Sequence, residues 1–148
     1  NFTYAFANHL NELFPHTIKE AENNDSIVRG RVLIAKGNKH LIIERAIDRY
    51  YVTTKDGELV NRHRPSIDVT FRSAAQNVGK NAVAVILTGM GDDGARGLLE
   101  LKQAGAATIA QDEKSCVVFG MPKEAIKLEA ADHIVPLNLI GQKIMSLI

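Results

Sequence analysis

The chain has 148 residues, 45% apolar and 24% charged, with 18 Lys and Arg against 17 Asp and Glu for a formal charge of +1. That is the make-up of one soluble globular domain with one core, and it excludes disorder, a collagen-like repeat and a disulfide scaffold. The balance lacks the basic excess of a nucleic-acid binder, and the lone cysteine, Cys116, can form no intramolecular disulfide, which suits a reducing cytoplasm.

The start, Asn1-Phe2-Thr3-Tyr4, has no basic or apolar signal region and no initiator Met, so a chain cut or processed at its start is expected. Phe2, Phe6, Leu10, Leu13 and Phe14 recur at helical spacing, and Pro15 stops that helix. Val32–Ala35, Leu41–Ile43 and Tyr50–Thr53 are short β-branched or aromatic runs. Gly30, Gly37-Asn38 and Asp56-Gly57 punctuate them, which predicts hairpin-like strands.

The second half alternates. Pro65 to Val78 reads as a helix with Ile67, Phe71, Ala74, Ala75 and Val78 as its buried face, ended by Gly79. Ala82 to Leu87 is an unbroken apolar run, suited to a strand covered on both faces. It falls far short of the roughly 20 residues a bilayer-spanning helix needs, so no membrane insertion is expected. A helix over Gly94–Ala104, a strand over Ala106–Ala110 and a helix over Pro122–Leu128 follow. A strand over His133–Leu137 and a helix over Leu139–Ile148 complete the chain, the last with Ile140, Ile144 and Leu147 on one side. This alternation is that of an α/β domain with a parallel sheet.

The segment Thr88-Gly89-Met90-Gly91-Asp92-Asp93-Gly94 lies between a strand and a helix, at the edge where ligands collect in such sheets. Gly89, Gly91 and Gly94 satisfy G-x-G-x-x-G, and Asp112 follows the next strand, so a nucleotide-binding module is one reading. Asp92 and Asp93 oppose it. At about 5 Å and an effective dielectric near 20, each carboxylate would repel a phosphate charge by about 3 kcal/mol. Two roles for the acids stay open at this point. Asp92 could be an N-cap with Asp93 favouring the first turn, or a fixed, ionised Asp could orient a histidine. No HExxH, CxxC or His-x-His pattern supports a metal or other cofactor.

Asn61-Arg62-His63-Arg64-Pro65-Ser66 is either a basic rim for an acidic partner or a solvated loop, the commoner fate of a charge run. No histidine sits in a nucleophile or metal motif, no serine lies in a G-x-S-x-G elbow, and Cys116 has no identifiable base beside it. A non-catalytic interaction domain is therefore a further alternative.

Three groups of segments carry a specific resemblance. The first is Val60 to Val69 followed by Phe71-Arg72-Ser73-Ala74-Ala75. The second is Ile86-Leu87-Thr88-Gly89-Met90-Gly91-Asp92-Asp93-Gly94-Ala95 with Gln103-Ala104-Gly105-Ala106. The third runs from Ile109 through Ser115-Cys116-Val117-Val118-Phe119-Gly120-Met121-Pro122 to Ile126. In this order they resemble the chemotaxis protein-glutamate methylesterase family, over nearly the whole chain from Phe2 onward. One departure is Lys36, where the family usually has proline.

The resemblance implies a Rossmann-like, doubly wound and mainly parallel sheet with a small β-hairpin region in the first half. It implies a cytoplasmic serine hydrolase that needs no cofactor. Such an enzyme removes methyl esters from chemoreceptor glutamates and deamidates receptor glutamines. Its partners would be the methylated cytoplasmic helices of receptors and a receiver domain in the full protein, with no nucleic acid and no membrane insertion. Asp93 matches the triad acid, and Met90 matches a residue beside the active site that serves the oxyanion region. The family's serine and histidine precede the segment matching Asn1-Phe2-Thr3. Residues 1–148 would then be a catalytic domain lacking its N-terminal part, inactive alone, with the Ala82–Leu87 strand missing its inner neighbours.

Overall fold

A computed structural model describes residues 2–148; Asn1 lies outside the described residues. Helix α1 (Phe2–Leu13) packs on strand β1 (Thr17–Glu20), which pairs in parallel with β3 (Arg31–Ile34). The Thr3 hydroxyl donates to Glu20 and accepts the Gly37 N–H, while Asn11 accepts the Ile18 N–H. Strands β2 (Ser26–Ile27), β4 (His40–Arg45) and β5 (Tyr50–Lys55) form an antiparallel sheet in the order β2-β5-β4. The hairpin reading holds for β4 and β5. It misses β1 and β2, which are short and too polar to show as apolar runs, and β3 turns out to pair in parallel with β1 rather than in a hairpin.

The second half alternates as expected: α2 (Ile67–Asn77), β6 (Val83–Ile86), α3 (Ala95–Gln103), β7 (Ala107–Gln111), α4 (Met121–Lys127), β8 (His133–Val135) and α5 (Leu137–Leu147). Strands β6, β7 and β8 form a parallel sheet in that order. Ala84, Ile86 and Ala110 point into a core shared with Leu98 and Leu101 of α3 and Ala125 of α4. Successive strand residues face opposite ways, so Ile109 points to the other side of β7, where α5 lies with Ile140 buried.

The sheet is not covered as its apolar run suggests. Only Ala84 and Ile86 of β6 are buried. Val83 and Val85 are half-buried and line an apolar groove of about 320 Å³ with Ile43, Tyr50, Phe71 and Val78. Among the described residues β6 pairs with β7 alone, so its outer edge keeps unpaired backbone groups.

Helix α2 joins the two halves. It begins after Pro65, with Ser66 as N-cap; its expected apolar face packs on the core through Phe71, Ala74, Ala75 and Val78, and the polar Asp68 and Ser73 are buried as well. Three polar side chains of the helix bond the outer edge of β4. Thr70 Oγ1 donates to Leu41 O at 2.8 Å, Ser73 Oγ accepts the Ile43 N–H at 2.8 Å, and Asn77 Nδ2 donates to Ile43 O at 2.7 Å. Spacings of three and four residues put these side chains on one helix face, where they satisfy an edge that would otherwise be bare. The opposite side of α2 meets α3 closely. A Cβ on Gly97 would lie 2.6 Å from Phe71 Cβ, so only glycine allows this approach.

Ser73→Ala leaves the half-buried Ile43 N–H without its partner and should cost about 1 kcal/mol or more. Gln76→Ala, on the exposed side of α2, should stay within about 0.5 kcal/mol. Urea unfolding of the two variants checks the pair.

Candidate active site

The loop from β6 to α3 leaves the carboxyl end of the parallel sheet and is bound to the loop after β7. The Thr88 N–H donates to Gln111 Oε1 at 2.8 Å, and the Thr88 hydroxyl bonds both the N–H and the carbonyl of Val118. Gly89 donates to Val118 O and accepts N–H groups from Gly120 and Met121. A Cβ at Gly120 would sit 2.6 Å from Gly89 O, which is why that position has no side chain. Gln111 is fully buried and braces the zipper by donating to Ser115, whose hydroxyl in turn accepts the Leu137 N–H.

Met90 stands on top of this zipper with 85% of its surface exposed. Its N–H makes no hydrogen bond among the described residues. Gly91, at φ 99°, turns the chain inward, and Asp93 is only 5% exposed.

The N-cap of α3 is Gly94 at φ 96°, so neither Asp92 nor Asp93 caps its own helix by side chain. Asp93 instead crosses to the start of α2. Its Oδ1 accepts from Ser66 Oγ at 2.7 Å, Asn61 Nδ2 at 2.9 Å and the Asp68 N–H at 3.2 Å. Its Oδ2 accepts the Ile67 N–H at 2.7 Å. Asp68 returns the exchange, its Oδ1 accepting the Gly97 N–H of α3 at 2.7 Å. Each helix start is thus capped by a carboxylate from the chain around the other, where free N–H groups and helix dipoles favour an anion. Burial pushes the Asp93 carboxyl up. The bonds from Asn61, Ile67, Ser66 and Asp68 outweigh that and hold it below the ordinary aspartate value.

This arrangement answers the nucleotide reading. Gly94 is needed because a Cβ there would lie 2.8 Å from Ile67 Cγ2, and the Gly97 N–H already binds Asp68. The glycines serve helix packing, and the end of α3 that would receive a phosphate holds a carboxylate.

A serine does bond Asp93 here, and a histidine lies behind that serine, but both are wired for support. Ser66 has no exposed surface, and its hydroxyl donates directly to Asp93 while accepting the Val69 N–H. His40 Nδ1 accepts the Ser66 backbone N–H at 3.2 Å, and Nε2 pairs with Glu58 O at 2.8 Å. Among the described residues the imidazole makes no hydrogen bond to the serine oxygen or to the Asp93 carboxylate. It cannot take a proton from one or be steered by the other.

The Asn61–Ser66 stretch is half solvated. Arg62 and His63 are exposed, while Asn61 and Ser66 hold Asp93. The signal for Ser66 was available, since a Ser-x-x pattern before a helix is a capping motif. Nothing local marks Asn61. Cys116 is half-buried, and burial pushes its thiol up, so it is a poor nucleophile. No described helix is long and apolar enough to cross a membrane.

The family described as CheB methylesterase matches residues 1–144. The chain is 61% identical over 144 residues to protein-glutamate methylesterase/protein-glutamine glutaminase 2 of Rhodospirillum rubrum, covering 97% of this chain and 40% of that relative. It is 58% identical over 146 residues to the corresponding protein 3 of Geobacter metallireducens, covering 99% of this chain and 41% of the relative. The chain therefore spans about 40% of the length of the curated relatives it matches. The crystal structure of the Thermotoga maritima CheB methylesterase catalytic domain superposes with a TM-score of 0.95 at 36% identity, covering all of this chain and 78% of that one.

The lowered Asp93 carboxyl sets a pH dependence. A carboxyl held below its unfolded value of about 3.9 adds stability above that pH and loses it as pH falls through the folded value. Asp93→Asn, which turns one oxygen into a donor facing other donors, should cost about 1–3 kcal/mol at neutral pH. Its deficit against wild type should narrow below about pH 4, as read by denaturant unfolding across pH.

Proposed function

Because this chain belongs to the CheB methylesterase family, we propose that it supplies the acid of a Ser-His-Asp hydrolase acting on methylated glutamates of chemoreceptors. The observation that carries the reading is Asp93, a buried carboxylate at the carboxyl edge of a parallel sheet. It is held ionised by four donors, and Oδ2 engages one of them alone.

In this mechanism a histidine donates Nδ1–H to Asp93. Its Nε2 takes the proton of a serine as that oxygen attacks the ester carbonyl. The tetrahedral oxyanion needs fixed donors, and the unspent Met90 N–H on the exposed zipper suits that place. The imidazolium then protonates the departing methoxide, releasing methanol. Water, deprotonated by the same imidazole, cleaves the acyl-enzyme to leave a glutamate. With an amide in place of the ester the leaving group is ammonia, which is glutamine deamidation. Throughout, Asp93 holds the imidazole tautomer and offsets its positive charge.

Ser66 and His40 are committed to capping, and on this reading a part of the whole protein outside residues 1–148 supplies the serine and histidine. The exposed Met90, Val117 and Val118 form an apolar lip beside the site, suited to the cytoplasmic helices of a receptor. A receiver domain in the full protein would regulate access, and the whole would work in the cytoplasm.

Methanol release from methylated receptor tests this. The full-length protein should be active, residues 1–148 alone should be inactive, and Asp93→Asn in the full protein should lose on the order of 10⁴ in kcat, measured on folded protein. Release at the wild-type rate by the isolated chain would refute the assignment of the serine and histidine, and full activity of Asp93→Asn would refute the role of the acid. NADH and ATP titrations should show no saturable binding.

A further inference from the structure

Asn61 occupies a point where two acidic groups meet. Its Nδ2 sends one hydrogen to Asp68 Oδ2 at 2.6 Å and the other to Asp93 Oδ1 at 2.9 Å. Both donors of the amide are spent, and both acceptors are carboxylates. Turned over, the amide would set a carbonyl oxygen against two anions, so only one orientation is tolerable. The backbone suits asparagine as well, since Asn61 lies at φ 51°, in the left-handed region that this residue visits more readily than most.

The consequence for Asp93 is an asymmetry between its oxygens. Among the described residues Oδ1 receives three donors, from Asn61, Ser66 and Asp68, whereas Oδ2 receives only the Ile67 N–H. Each carboxylate oxygen offers about two lone-pair sites, so Oδ1 is more than filled and the acceptor left over is on Oδ2. Of the side chains on Oδ1, that of Ser66 belongs to the buried cap of α2, whereas Asn61 reaches in from an exposed loop and ties both acids together.

We propose that Asn61 is a positioning residue for Asp93: by occupying Oδ1 while holding Asp68 in place, it fixes the carboxylate so that Oδ2 is presented to the histidine. The proposal rests on the hydrolase reading above. Asp68 of α2, Asp92 and Arg96 at the start of α3, and Glu124 of α4 line one polar cavity of about 250 Å³ with Asn61, and Arg62 and His63 follow it, exposed, in its own loop. His40 stands behind Ser66 on the β4 side.

Two variants separate positioning from mere folding. Asn61→Gly keeps the left-handed backbone and removes the amide. Asn61→Asp keeps the shape and puts an acceptor where the shared donor was. Both are made in the full-length protein, and three quantities are read: kcat and KM for methanol release across pH, the ¹³C titration of the Asp93 carboxyl, and the melting temperature. In both variants kcat should fall roughly 10- to 100-fold with KM unchanged. In Asn61→Gly the acid limb of kcat/KM should move to lower pH, as the imidazolium loses its aligned anion. The Asp93 carboxyl should titrate at higher pH than in wild type, further so in Asn61→Asp. Unchanged kcat overturns the proposal. So does a fall in kcat and melting temperature with the acid limb and the Asp93 titration unmoved, which marks a purely structural role. If wild type itself releases no methanol, the hydrolase reading has failed. The titration then still reports whether Asn61 holds the Asp93 carboxylate.

Discussion

Two carboxylates exchanged between two helix starts organise this molecule. Asp93, from the loop before α3, takes N–H groups at the start of α2, and Asp68 of α2 takes the Gly97 N–H of α3. Buried acids are costly when unpaired, and among the described residues no lysine or arginine pairs with Asp93; backbone and side-chain donors hold it instead. The exchange is possible because the helices come very close, and they do so because Gly94 and Gly97 leave room for Ile67 and Phe71. The glycines, the carboxylates and the helix contact therefore form one constraint. Changing any of them disturbs the others.

The same constraint keeps a buried carboxylate ionised. The forces that keep Asp93 charged in a dry place are those that dock α2 on α3, so on the proposed reading the ionisation that would steer an imidazole is supplied by fold stability. The zipper between the loops after β6 and β7 has the complementary role. It holds Met90 at the surface above a buried anion, and fully buried Gln111 anchors it from beneath.

Much of this was legible in the residues. The alternation after Pro65 follows from apolar runs, glycine stops and helical periodicity, and the structure returns each of those elements with ends shifted by a few residues. Strands β1 and β2 were not, because Thr17–Glu20 and Ser26–Ile27 are short, largely polar and stabilised by distant partners. For Asp92 and Asp93, local rules favoured a cap on the helix that follows, and they failed because the cap is made across the fold. Asn61 and Asp68 escaped for the same reason, since their partners are seven or more positions away in sequence. Long-range polar contacts leave no period in a chain, whereas buried apolar faces do. The family resemblance pointed to Asp93 without indicating how it is held.

The row of Thr70, Ser73 and Asn77 on the edge of β4 has an effect beyond satisfying that strand. Advancing a helix by one residue swings its side chains about 100° around the axis. Any slip of α2 along β4 would thus carry all three polar groups out of reach together. The helix is keyed in both rotation and translation, like a threaded bolt with a locking pin. Since its first turn grips the Asp93 carboxylate, the antiparallel sheet of the first half sets the angular setting of an acid that belongs to the second.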